Sequence, residues 1–164
     1  SDYSDPLTWT AGSTSGGSPG ESESFLSPGF VSWQNDQFDE AELSDPAISG
    51  PAADPDGDSL TNFLEYAMGL NPGRDDSGSL PKLRFVQLDG STYLALSFQR
   101  QQDLDDVTFS VEVSDDLINW IGTGLPVGDP IDKGDGTEIV VFRHELPVNQ
   151  ARSRQMIRLK AAAK

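Results

Sequence analysis

Apolar residues recur at one spacing through the first half of this chain and at another through the second, and the two spacings predict different structures. Between residues 27 and 72 the interval is helical. Ser27-Pro28 reads as an N-cap followed by proline at the first helical position, and Phe30, Trp33, Phe38 and Ala41 then fall near one face of a helix ending before Asp45-Pro46. Leu60, Phe63, Leu64, Ala67 and Met68 keep helical spacing until Gly69 and Pro72 stop the run. The two apolar faces are expected to pack together. From Leu83 onward the period is two. Leu83 to Leu88 and Tyr93 to Phe98 flank Asp89-Gly90, a hairpin signal, with Leu94, Leu96 and Phe98 on one face. Val107, Phe109, Val111 and Val113 alternate with polar residues, and further strands read at 119–121, 139–142 and 156–161. About six short strands with Gly, Pro and Asp turns predict a mainly β fold: an antiparallel β-sandwich preceded by a small helical part, with Trp120 at the centre of its core.

In front of these elements, residues 11–24 have the Gly/Ser-rich composition of a tether, and Pro6 to Thr10 before it reads as a lone strand. The chain therefore divides into a strand and tether (1–26), a helical segment (27–78) and a sandwich (79–164). Leu7, Thr8, Trp9 and Thr10 are expected to pair with the sheet of a neighbouring molecule, because an edge strand offers unpaired backbone groups that a tethered strand can satisfy. This predicts a homo-oligomer or polymer.

The sharpest chemistry lies in Asp54-Pro55-Asp56-Gly57-Asp58-Ser59-Leu60-Thr61-Asn62-Phe63-Leu64-Glu65, which places oxygen ligands at positions 1, 3, 5, 9 and 12 of an EF-hand-type loop. A hard cation takes six to eight oxygens. Asp54, Asp56 and Asp58, the Leu60 carbonyl, Asn62 and a bidentate Glu65 supply them, so Ca²⁺ is the expected cofactor. Position 6, where glycine is expected, is Ser59; a left-handed backbone there costs on the order of 1 kcal/mol and weakens the site. Thr61 stands where paired loops carry an aliphatic bridge, and no second loop of this pattern exists, so one structural ion is expected. Asp103, Asp105 and Asp106, or Asp129, Asp132, Asp135 and Glu138, offer a second ligand set or simply polar turns.

Charge narrows the partners. The net charge of −16 is uneven: residues 1–80 hold 15 acids against Arg74 alone, whereas residues 81–164 hold 12 acids and 10 bases. Nucleic acid and anionic membrane surfaces are thereby disfavoured. From Arg143 onward bases dominate, a polarity that suits head-to-tail association or attraction within one molecule. No run of apolar residues is long enough to span a membrane, there is no signal peptide, and the first residue is Ser1, which suggests a removed leader or an excised piece of a larger protein. Cysteine is absent, so stability rests on burial and on the metal.

Trp33 through Phe38 to Ala53-Asp54-Pro55-Asp56-Gly57-Asp58, with Asn62-Phe63-Leu64-Glu65-Tyr66-Ala67-Met68-Gly69-Leu70-Asn71-Pro72, resembles a calcium-binding segment common near the C-terminus of large secreted bacterial proteins. It is also similar to dockerin and thrombospondin type 3 loops. Val111 to Trp120 and Met156-Ile157-Arg158-Leu159 resemble the fibronectin-III-like module that often follows that segment. Across residues 30–160 the resemblance implies an extracellular, calcium-stiffened, non-catalytic module.

Catalysis finds little to build on: one histidine, His144, with no nucleophile motif beside it, and no cysteine. Two classes stand. One is a structural or adhesive protein of the extracellular space or cell surface, a fibre or array subunit joined by strand donation. The other is a carbohydrate-binding accessory module of a secreted glycan-degrading enzyme, stacking sugars on Trp9, Tyr93 or Trp120.

Overall fold

The computed structural model describes residues 27–148 and 154–164. The expected strand Leu7 to Thr10 and its tether lie outside them. Helix α1 (Pro28–Gln37) starts as the sequence predicts, with the Ser27 side chain accepting the Phe30 N–H and Pro28 in the first turn. It ends earlier than predicted. Phe38 is extended, and Asp39 caps a new helix α2 (Glu40–Leu43) through a reciprocal capping box with Glu42. Two local hydrogen bonds at Asp39 thus outcompete continuation of the apolar stripe, and Ala41 is exposed rather than on a shared face with Phe30. α3 (Pro46–Ser49) and α4 (Asn62–Met68) follow, the latter closed by Gly69 in the left-handed conformation.

The strands form two antiparallel sheets. In the larger, β1 (Lys82–Leu88), β2 (Ser91–Gln101), β6 (Thr137–Arg143) and β4 (Leu125–Pro126) lie side by side, and β5 (Ile131–Asp132) also pairs with β6. In the smaller, β3 (Val107–Ser114) pairs with β7 (Met156–Ala163). The fold is therefore mainly β with a small α part, as the period-two spacing predicts. β1 and β2 are joined by the expected tight turn, with Asp89 and Gly90 both at positive φ. Between the sheets, Leu96, Phe98 and Val140 meet Val111, Phe109, Ile157 and Leu159.

Two expectations fail here. Residues 119–121 make only a single bridge, Val113 to Ile121, instead of a strand. Trp120 is not in the core: it is half-buried at the surface, with its indole N–H donated to the Leu117 carbonyl at 3.2 Å and Arg158 stacked over its ring at 4.0 Å. The Ser114-to-Asn119 turn, tied by the Asp116 carboxylate to the Ile118 and Asn119 N–H groups, carries the indole past the sheet edge.

The helices sit on one end of the sandwich and share its packing. Phe30 is fully buried against Trp33, Phe63 and Tyr66, with ring centroids 5.5, 5.6 and 5.5 Å away, and the same cluster takes in Val107. The Tyr66 hydroxyl donates to Asp106 at 2.8 Å, just ahead of β3. Gln99 on β2 donates to the Met68 carbonyl at the end of α4. Among the described residues no helix is long and apolar enough to cross a membrane.

Candidate metal centre

The loop between α3 and α4 turns because its own carboxylates bind its backbone. One oxygen of Asp54 accepts the N–H groups of Gly57 and Asp58, and the other accepts that of Ser59. Asp58 accepts the Leu60 N–H at 2.7 Å. Gly57 and Ser59 adopt φ of +76° and +77°, so the left-handed serine expected at position 6 is present. This folding brings oxygens of Asp54, Asp56 and Asp58 within 4.8 Å of one another. Among the described residues no other set of three acidic, histidine or cysteine side chains converges in this way. Asp106 is held by Tyr66, Glu138 by Arg100, and Asp135 by Lys133 and Thr137, so those acids have protein partners of their own.

Asn62 and Glu65 lie in the first turn of α4, both fully buried, and Glu65 stands outside the set of carboxylates that converge within 4.8 Å. The Asn62 amide nitrogen donates to the carbonyls of Ile48 and Gly50, each at 2.8 Å, which fixes α3 against α4 and leaves the side-chain oxygen without a partner. Both carboxylate oxygens of Glu65 also lack a partner, as does one oxygen of Asp56. Buried polar atoms are almost always hydrogen-bonded, and a buried carboxylate with neither oxygen satisfied is a costly exception. Burial first, and then the charges of Asp56, Asp58, Asp76 and Asp54, push the Glu65 carboxyl up to about 8. Burial likewise raises Asp56. A cation among these oxygens would reverse each of these penalties at once.

Leu60 is buried as the expected carbonyl donor, with its N–H occupied by Asp58. The structure adds a residue that loop spacing does not show. Asp76, beyond α4, donates its backbone N–H to the second oxygen of Asp58 at 2.7 Å, and its charge acts on Glu65 ahead of that of Asp54. Arg74, largely exposed, grips the Asp76 carboxylate from outside at 2.8 Å. Only the chain's return past α4 makes Asp76 local to the loop.

The donor set holds oxygen alone, with no sulfur or imidazole, and suits a hard cation. The other candidates are placed differently. His144 is buried, its Nδ1 accepts the Leu146 N–H, and burial lowers its pKa. Of the aromatic residues offered for sugar stacking, Tyr93 has Arg143 over its ring at 4.2 Å and Trp120 has Arg158, so one face of each is taken. Trp9 lies outside the described residues. No protein-family model, curated protein or solved structure matches the chain.

Proposed function

We propose that this chain is a non-catalytic, calcium-stabilised structural module of an extracellular protein. The observation that carries the reading is Glu65: fully buried, unpaired at both oxygens, and faced by four further carboxylates. Such a cluster opposes folding unless a divalent cation neutralises it, and oxygen ligands at loop spacing favour Ca²⁺ over softer metals. The ion stiffens a junction. Asn62 ties α3 to α4, Asp76 ties the following segment to Asp58, and α4 is bonded to β2 through Met68 and Gln99. The strained Ser59 lowers affinity, and millimolar extracellular calcium fills even a weakened site.

Titration calorimetry of the full chain with Ca²⁺ tests this, together with thermal melting in calcium and in chelator. Calcium at ~100 times its dissociation constant is expected to add about 2.7 kcal/mol. Absence of binding heat at millimolar calcium, with a melting temperature indifferent to chelator, would overturn the reading.

A further inference from the structure

The sandwich is closed along one side and open along the other. On the closed side, residues 121–124 continue the outer edge of β3, with Ile121 exchanging backbone hydrogen bonds with Val113 and the Gly124 N–H bonded to Val111, before the chain crosses to β4 on the larger sheet. On the open side, β1 and β7 each have a partner along one edge only among the described residues. β7 lies over β2. The next place along the smaller sheet, over β1, is empty of described elements. The consequence shows in β1: Leu83 and Phe85 are in register with Leu96 and Leu94 and so share the inner face of the sheet, yet they are 61% and 66% exposed. A sheet interior that meets solvent beside two free strand edges is a template for pairing.

We propose that Leu7 to Thr10 of the same chain fill this place as an added strand on the free edge of β7, seating Leu7 and Trp9 over Leu83 and Phe85. The inference goes beyond the metal reading and stands on different residues. Leu7 and Trp9 are two residues apart and so share one face of a strand, the spacing of the two uncovered side chains. Charge agrees. Residues 1–26 carry Asp2, Asp5, Glu21 and Glu23 with no base, and the outer faces of the bordering strands carry Lys82 and Arg84 on β1 and, sharing the single acid Glu112 of β3, Arg158 and Lys160 on β7. Reach agrees as well. Asp106, which hydrogen-bonds the Ser27 side chain, immediately precedes Val107, and Val107 pairs with Ala163, so the chain enters the fold at the end of β7. The sixteen residues from 11 to 26 can span about 50 Å. A tether of this kind holds a strand at roughly millimolar effective concentration, so a second molecule competes poorly for the same edge.

The test uses the full chain, which has no native cysteine. A spin label on Thr10→Cys is measured by NMR in isotope-labelled protein diluted into a large excess of unlabelled, unmodified protein. The expected result is broadening of β7 and β1 amides that persists on dilution, with a monomeric mass by light scattering. In the double variant Leu7→Ser, Trp9→Ser the β7 amides should exchange with solvent at least ~10-fold faster while those of β6 are unchanged. Broadening that appears only when the label and the isotope are on different molecules would assign the place to a second copy and overturn the proposal. So would β7 amides unaffected by the label and equally protected in native and variant chains. None of these readouts depends on calcium, so the proposal and the metal reading fail separately.

Discussion

The metal loop and the open side of the sandwich are both unfinished, in opposite senses. At the loop, charge is buried without a counter-charge: Glu65 has no partner and four acids face it. At the open side, apolar surface is exposed without a cover: Leu83 and Phe85 lie on an inner face that meets solvent. In each, the sign of the departure from ordinary packing indicates the missing component. Buried carboxylates want a cation, and an exposed sheet interior wants a strand. Neither conclusion required a pocket of unusual size or shape.

The helices and the start of β3 share one aromatic cluster, around Phe30. Phe30→Ala empties the centre of the aromatic cluster beneath α1, α4 and the start of β3, and should cost about 3–5 kcal/mol by denaturant unfolding. Loss of the loop's calcium affinity should accompany it, since α4 carries two ligands. If the sandwich melts unchanged, the helices and sheets are less dependent on each other than their packing indicates.

A pH series sharpens the metal side alone. In chelator, folded Glu65 holds a proton up to about pH 8 that the unfolded chain releases near its ordinary value of 4.5. Stability from this group is therefore complete below that ordinary value and is lost as pH rises toward 8, by at most about 1.4 kcal/mol per pH unit. Saturating calcium should abolish this dependence, and calcium affinity should rise over the same window as the proton is displaced. Urea melts from pH 5 to 8 in the two conditions check the sign.

Glu65→Gln and Asn62→Ala separate affinity from folding. Glu65→Gln removes a charged ligand from the site and should weaken calcium binding more than Asn62→Ala, while sparing the metal-free protein the cost of protonating Glu65 near neutral pH. Asn62→Ala leaves the Ile48 carbonyl without this bond and the Gly50 carbonyl with only the Ala53 N–H, and should cost about 1–3 kcal/mol even in chelator. Calorimetry and melts on both variants test the crossing; equal affinity losses would count against EF-hand-like geometry. The smallest effect is expected from Asp76→Asn, which keeps the backbone bond to Asp58 but removes a negative charge beside the ion. A loss in calcium affinity of about tenfold or less is expected, shrinking with salt.

What could be read from the sequence depended on how far apart the interacting residues lie. Asp54, Asp56 and Asp58 fall within five residues, so their spacing alone determines where they can meet, and the left-handed Ser59 followed from position 6. Strands β1, β2, β3, β6 and β7 were legible because one face of each is apolar. Asp76 was not, because only the chain's path after α4 returns it to the loop. The break at Phe38 was hidden by an apolar stripe that runs on through two helices, while the Asp39 and Glu42 capping box decided the geometry. Trp120 was misplaced for a related reason: a large aromatic side chain fits the interior in general, but the Asp116 turn takes this one outside. The open edge could not be seen at all, since strand order is a property of the assembled sheets.

The position of Ser27 has a mechanical consequence. If residues before it connect to anything that pulls, the load enters the fold where Ser27 meets Asp106 and Phe30 is anchored under Tyr66 and Val107. That point lies between the helices and the first residue of β3, so tension is carried into the aromatic cluster and along β3 to β7. The loop of Asp54, Asp56 and Asp58, between α3 and α4, is joined to this cluster through Phe63 and Tyr66 of α4. A cation held there would brace α4, and with it the Tyr66 anchor of Phe30, against a load entering at Ser27.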